Sequence, residues 1–447
     1  RLVAQLAPCW SKEFRKRTPC RIQGSWCHGY FGKPHRPRRR SASGIATQPH
    51  GRHQVVVSYE GFVADGWSGV AEAFAHNIDN REDIGAGVSV FHKGKCVVDI
   101  AGGFFDRDAT QPYTLDTLQL VFSTTKGVVS TAVAMCVERG LLSYEEPVSL
   151  FWPEFAAHGK EHVTVAQLLS HQAGLYTVDG PLTYKDVLDW NTMVARLADT
   201  APLFPVGSTH GYHAITFGWL AGELVRRVDG RNIGRFIAEE ISNPLGGEIY
   251  VGLPEHLESR VSPVNTGWPR KEGSVPSTPS QPAPAQSEQL LSAFSLKGAM
   301  DVKGVFNRQD MHAAEVPGAN GIANARSLAS MYSATFTETE TSNGLVRLVT
   351  EDTRKKMTVQ QTPVGEIDLC LQNMRSFAMG FVTPSEKLAF NAPGTYGHAG
   401  MGGSVSFADP NRQMGFSYIM NRMRSSMFTD PRSVRLIEAA SRCADAS

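Results

Sequence analysis

The sequence predicts an α/β fold of the α+β kind: an antiparallel sheet assembled from both ends of the chain, flanked by helices, with an all-helical lobe inserted between the two halves. Three observations predict it. Residues 88–92 alternate polar and apolar, Lys93-Gly94 supplies a turn, and residues 96–100 return towards Gly102-Gly103, the pattern of a β-hairpin. From Ser123 to about Leu257 the apolar residues recur mostly at helical spacing. Near the other end, alternating runs around residues 377–382, 403–409 and 414–421 read as closing strands.

Each element has a local reason. Behind Ser123, the residues Val128, Val129, Ala132, Val133 and Cys136 recur at three and four, and Gly140 is placed to end that helix. Thr164 is a candidate cap for a helix through Leu168 and Leu169, and residues 216–228 keep Phe217, Leu220, Ala221, Leu224 and Val225 on one stripe. Five prolines among Ser, Gln and Ala mark residues 268–289 as a surface excursion without a core of its own. Helical segments are expected near residues 323–336 and 346–357 before the closing strands.

At 447 residues with 41% hydrophobic content the chain can bury a large core. Its net charge of +1 conceals an asymmetry: residues 1–50 hold eight Arg and three Lys against Glu13 alone, so the body of the protein is acidic. Nucleic-acid binding is a poor reading for such a body. Residues 1–54 read as a basic, disordered leader or a mitochondrial targeting segment, residues 55–447 as the folded domain, and the location as mitochondrial or cytoplasmic. The chain opens on Arg1 rather than Met, and its natural start is expected upstream. The seven cysteines lack paired zinc or redox spacing; Cys96 and Cys136 fall in apolar runs as expected core residues. No apolar run is long enough for a membrane span, no carboxylate motif surrounds His210 and His213, and no metal or cofactor is expected.

Chemistry concentrates in Ser123-Thr124-Thr125-Lys126, where a serine and a lysine three apart share one helix face, with the serine at the N-terminus where free N–H groups favour a developing anion. A lysine there acts as a base if burial lowers its pKa from about 10.4. Pro205-Val206-Gly207-Ser208-Thr209-His210-Gly211-Tyr212-His213-Ala214 presents Tyr212 on a turn-rich stretch, and Gly397-His398-Ala399-Gly400 follows near the C-terminus. A Gly-x-Ser-x-Gly elbow is absent, because Gly66-Trp67-Ser68-Gly69 is followed by Val70.

In this order the three parts resemble the serine β-lactamase and penicillin-binding superfamily, particularly the class C-like branch of family VIII carboxylesterases and LACTB-like proteins. Residues 168–175 and 320–329 look like further landmarks, and the likeness runs over roughly residues 55–440. It implies a β-lactamase/transpeptidase-like fold, with a sheet lobe of about 55–120 and 290–440 and a helical lobe of about 121–260. It further implies Ser123 as nucleophile, Lys126 and Tyr212 sharing the base role, the backbone N–H groups of Ser123 and Met401 as oxyanion hole, and His398, Ala399 and Gly400 against the substrate. Gly400, Gly402 and Gly403 would let substrate lie close along the strand.

Two positions depart from the superfamily pattern. His398 replaces the lysine that holds a β-lactam carboxylate, and Ala214 stands where the Tyr-x-Asn triplet has an amide. Together they favour an acyl hydrolase of small esters or amides, with weak or no β-lactamase activity. The alternatives are a non-catalytic, self-assembling LACTB-like scaffold and a peptidase of the same superfamily; a homo-oligomer fits any of the three.

Overall fold

The described chain begins as β1 (Tyr59–Val63), crosses to α1 (Ser68–Asp79) and returns as the predicted hairpin, β2 (Gly85–His92) and β3 (Lys95–Gly103). Lys93 and Gly94 turn it with φ of +52° and +77°, the left-handed pair that matches the twist of two antiparallel strands. A short β4 (Leu118–Leu120) then leads into α2 (Thr125–Glu138). The helical lobe follows as α3 (Val148–Phe151), α4 (Val165–Leu169), α5 (Tyr184–Leu188), α6 (Trp190–Asp199), α7 (Thr216–Asp229), α8 (Ile233–Ile237) and α9 (Asn243–Leu245). After β5 (Ile249–Tyr250) and β6 (Val261–Ser262) come α10 (Glu288–Ser295), α11 (Gln309–Ala313), β7 (Ile322–Ala323) and α12 (Ala325–Ala334). The hairpin β8 (Thr339–Thr341) and β9 (Gly344–Val346) precedes α13 (Glu351–Met357). Strands β10 (Ser376–Phe377), β11 (Val382–Thr383), β12 (Tyr396–Ala399), β13 (Val405–Asp409) and β14 (Met414–Met420) close the sheet, and α14 (Pro431–Asp445) ends the chain.

This computed structural model describes residues 59–267, 288–300, 304–363, 365–385, 388–424 and 429–447, all within the unit Val55–Ser447. The basic segment 1–54 lies outside the described residues, as does the Pro-rich run except its last two positions, which open α10.

The main sheet has eight strands in the order β1-β3-β2-β14-β13-β12-β11-β10, antiparallel throughout. Its halves are sewn together where β14 pairs with β2, from Met414 opposite His92 to Met420 opposite Ala86. Every residue of β2 and β14 is buried, which an antiparallel strand achieves only with both faces covered. Helix α12 packs on these two strands, while α1 and α14 pack on each other and reach β3 and β14. Helix α2 is buried from Thr125 to Cys136 and packs on α7 and α8, so it forms the axis of the helical lobe.

Several local readings hold. Thr164 and Gln167 form a capping box on α4, and Gly140 follows α2 in the left-handed conformation at φ +66°. Others change. The run 377–382 is broken at Gly380, φ +83°, into β10 and β11; a Cβ at that glycine would run into Ser130 of α2 and Phe217 of α7. The turn therefore presses the sheet edge onto the helical lobe. Val346 belongs to a hairpin, and the helix expected from it starts only after Thr350, which accepts from the Thr353 N–H at 3.4 Å. A small second sheet, β5-β7-β4-β6 with β4 and β6 parallel, is built from strands of two or three residues, too short to show a period. Cys136 is buried as expected, whereas Cys96 is only half-buried, and neither is in a disulfide.

Candidate active site

Between β4 and α2 the chain makes one 3₁₀ turn, Phe122–Thr124, and Ser123 is its middle residue. Phe122 adopts φ +48°, a conformation disfavoured for an L-residue with a large side chain, and the surroundings enforce it. Val121 N–H donates to Gly321 O at 2.9 Å, Thr125 Oγ1 donates to Phe122 O at 2.5 Å, and Gly321 N–H donates to Thr125 Oγ1 at 2.9 Å. From the main sheet, Ser404 Oγ donates to Val121 O at 2.9 Å and lies 3.2 Å from Thr124 Oγ1. The nucleophile turn is thus clamped from two sides, and Ser123 keeps 6% of its surface accessible.

Lys126, the second residue of α2, lies one turn after Ser123 and is fully buried. Its Nζ is 3.1 Å from Ser123 Oγ, 2.6 Å from Ala214 O and 2.7 Å from Gly318 O. Burial drives its pKa well below the ordinary lysine value. A neutral amine has two N–H donors and one lone pair. In that form, with both donors spent on the two carbonyls, the lone pair would face the serine hydroxyl. Ala214 has no side-chain amide, but its backbone oxygen orients Lys126. Gly318 reaches the amine because a Cβ there would run into the Ile215 carbonyl, and the loop that carries it is shaped by Asn320, whose amide donates to Met311 O at 2.8 Å and Ala314 O at 2.7 Å.

Tyr212 is buried, with its ring centroid 4.8 Å from Lys126 Nζ. Its hydroxyl makes no well-formed hydrogen bond among the described residues. Burial raises the phenol pKa, and the nearby Ser123 hydroxyl offsets part of that rise. Phe377 stacks on the ring at 5.9 Å and Phe294 of α10 lies 6.0 Å away, so the surroundings of the phenol are aromatic.

His398 lies on β12, buried, 6.1 Å from the Tyr212 ring by centroid. Its Nδ1 donates to Ala399 O at 2.8 Å, which leaves Nε2 as an acceptor, buried and unpartnered. Burial, aided by Lys126, lowers its pKa to about 3, so it is neutral across the physiological range rather than charged below about 6.5. After β12, Gly400 N–H donates to Ser404 O at 2.8 Å, while the N–H groups of Met401 and Ser123 have no acceptor among the described residues. Gly400 and Gly403 serve packing rather than an open strand edge. A Cβ on Gly400 would strike Val121 O and Ser404, and one on Gly403 would strike Asp430 and Arg432.

The side chains of Ser123, Lys126, Tyr212 and His398 therefore converge on one place, built from the nucleophile turn, the Tyr212 stretch and β12. The beta-lactamase family matches residues 70–440 of the chain. The chain belongs to the beta-lactamase family. It is 32% identical to the esterase/beta-lactamase LipL of Mycobacterium tuberculosis over 80% of this chain and 82% of that protein. Among solved structures, a family VIII carboxylesterase superposes with a TM-score of 0.77 at 36% identity, covering 87% of this chain and 100% of the other. A penicillin-binding protein homologue from Caulobacter crescentus gives 0.75 at 36%, covering 86% and 100%, and EstA from Arthrobacter nitroguajacolicus gives 0.75 at 31%, covering 86% and 98%. As a member of this family the protein is a serine hydrolase with the β-lactamase/transpeptidase-like fold.

Within this beta-lactamase-family site the residues that sequence reasoning missed act mostly through backbone atoms. Gly318 contributes a carbonyl and Gly321 a close approach, neither of which leaves a side-chain signature. Asp368 was also missed: its Oδ1 accepts the Tyr212 N–H at 3.1 Å and the N–H groups of Cys370 and Leu371 at 2.8 Å. No helix among the described residues is long and apolar enough to cross a membrane.

Proposed function

We propose that this beta-lactamase-family hydrolase cleaves small, uncharged esters through a Ser123 acyl-enzyme, with Lys126 as the base of acylation. The observation that carries the reading is the Lys126 amine, buried and tied to two carbonyls, with its third direction 3.1 Å from Ser123 Oγ. Lys126 takes the Ser123 proton as Oγ attacks the acyl carbon, and the oxyanion is held by the Ser123 and Met401 N–H groups. Tyr212, kept as a phenol by burial, passes its proton to the departing alkoxide. An ammonium and a phenolate then face each other, an opposite-charge pair formed only during turnover. In the second half, the phenolate takes a proton from water, hydroxide attacks the acyl-enzyme, and Lys126 returns its proton to Ser123 Oγ, so the cycle closes with no net proton change.

Two features support an ester over a β-lactam. His398 is uncharged and offers no cation to a carboxylate, and Tyr212 is walled by Phe377 and Phe294. The family VIII carboxylesterase among the solved structures supports that choice, while the esterase/beta-lactamase LipL carries both activities in its name.

The test is to treat the protein with a fluorophosphonate probe and a short-chain p-nitrophenyl ester, alongside Ser123→Ala and Lys126→Met, reading intact mass and rate. Labelling and turnover in wild type that both vanish in Ser123→Ala, with at least a hundredfold lower rate in Lys126→Met, are expected. A wild type that neither labels nor turns over sinks the hydrolase mechanism and favours a scaffold.

A further inference from the structure

His171 is a buried titratable residue beside the site that the mechanism leaves without a task. It follows α4 in a Schellman ending: His171 N–H donates to Leu168 O at 3.4 Å and Gln172 N–H to Gln167 O at 2.8 Å. The residue at this point of the motif is ordinarily glycine, because its backbone is left-handed; here it is a histidine at φ +66°, with a fully buried side chain. Backbone strain carried by a buried polar side chain calls for a return elsewhere.

The hydrogen bonds show where that return lies. His171 O accepts the Gly211 N–H at 3.0 Å, and His171 Nδ1 accepts the His213 N–H at 3.2 Å. These two bonds straddle Tyr212, whose own N–H goes to Asp368. Three consecutive N–H groups around the phenol thus end on only two residues. His213 locks the turn further, with Nδ1 donating to Gly211 O at 2.7 Å and Nε2 accepting the Leu175 N–H at 2.9 Å. The His171 ring meets the Tyr212 ring edge to face at 4.9 Å and the Phe377 ring at 4.5 Å. One residue therefore fixes the backbone on both sides of Tyr212 and also packs against its ring.

We propose that His171 is a positioning residue: through Nδ1 and its left-handed carbonyl it holds Tyr212 where the phenol faces Ser123. The proposal rests on the reading of Tyr212 as the proton carrier. It places the working atom at Nδ1, which must be unprotonated to accept, and not at the unpartnered Nε2.

The experiment is a double-mutant cycle on a short-chain p-nitrophenyl ester, with kcat and KM measured separately for wild type, His171→Ala, Tyr212→Phe and the double variant. Displacement of the phenol by an ångström is expected to lower kcat about a hundredfold with KM little changed. In the Tyr212→Phe background, His171→Ala should cost almost nothing more, because the group it positions is gone. Two further variants identify the atom and serve alone should His171→Ala fail to fold. His171→Asn places an acceptor near the Nδ1 position on a residue that tolerates left-handed backbone, and should recover most of kcat; His171→Gln, whose amide reaches the Nε2 position, should not. An undiminished cost of His171→Ala in the Tyr212→Phe background, or equal recovery by Asn and Gln, overturns the proposal alone. Wild-type rate in Tyr212→Phe overturns the reading of Tyr212 itself, and the proposal with it.

Discussion

Lys126 illustrates how much a single residue's surroundings decide. Its side chain would be an ordinary cation in water, yet a fully buried site with two carbonyls and one hydroxyl matches the hydrogen-bonding of the neutral amine. The consequence for pH has a definite sign. Catalysis needs Lys126 unprotonated, so the rate rises with pH through a pKa displaced downward from about 10.4. It also needs Tyr212 protonated, so the rate falls only above about 10, because burial pushes the phenol upward. A kcat/KM profile on an uncharged ester should show a long plateau between the two; an acid limb centred at the ordinary lysine value would contradict the assignment. Gly318 is the second residue to probe. Gly318→Ala forces its loop away from Ile215 and withdraws one acceptor from the amine, and we expect kcat to fall by about a hundredfold in steady-state assays. Ser123 and Lys126 were legible in the sequence because their spacing on a helix is local. Gly318 was not, because a carbonyl acceptor carries no side-chain mark.

At the level of elements, the site depends on a junction between α2 and the turn after β12. Ser404 makes that junction through Val121 O and Thr124, which flank the nucleophile, while its carbonyl holds Gly400 beside the Met401 N–H. Ser404→Ala should therefore lower kcat about tenfold with little change in KM, and cost about 1 kcal/mol of stability in urea unfolding. A loss confined to stability would show that the junction does not orient the oxyanion donors. The hairpin β2–β3, the caps of α2 and α4, and the stripe of α7 were readable from turn residues and period. The break at Gly380 and the hairpin β8–β9 were not. Gly380 interrupts a run of apolar residues with no other turn signal, and a side chain at its left-handed turn would meet Ser130 and Phe217.

Over the whole molecule, residues far apart in the chain close one buried ion network. Arg432 at the start of α14 donates to Asp83 at 2.6 Å, to Asp430 at 2.7 Å and to Gly402 O at 2.8 Å, and Tyr418 donates to Asp83 at 2.9 Å. Arg432 and both carboxylates are buried, so Arg432→Met strands two of them and should cost on the order of 3–5 kcal/mol, read as an earlier urea midpoint at unchanged slope. Resistance to unfolding equal to wild type would show that the carboxylates find other partners or take up protons. By itself the sequence determined the class of fold and the helix that carries Lys126 just behind Ser123, since both follow from hydrophobic period, turn chemistry and spacing within one segment; the place of His398 came from the family resemblance. Tertiary structure alone decided that burial lowers the Lys126 pKa, that His398 is uncharged, that Ala214 acts through its carbonyl, and that Tyr212 is gripped by His171 and Asp368. Those properties come from burial and from groups contributed by remote segments, and neither desolvation nor a distant carbonyl is written in the residues nearby.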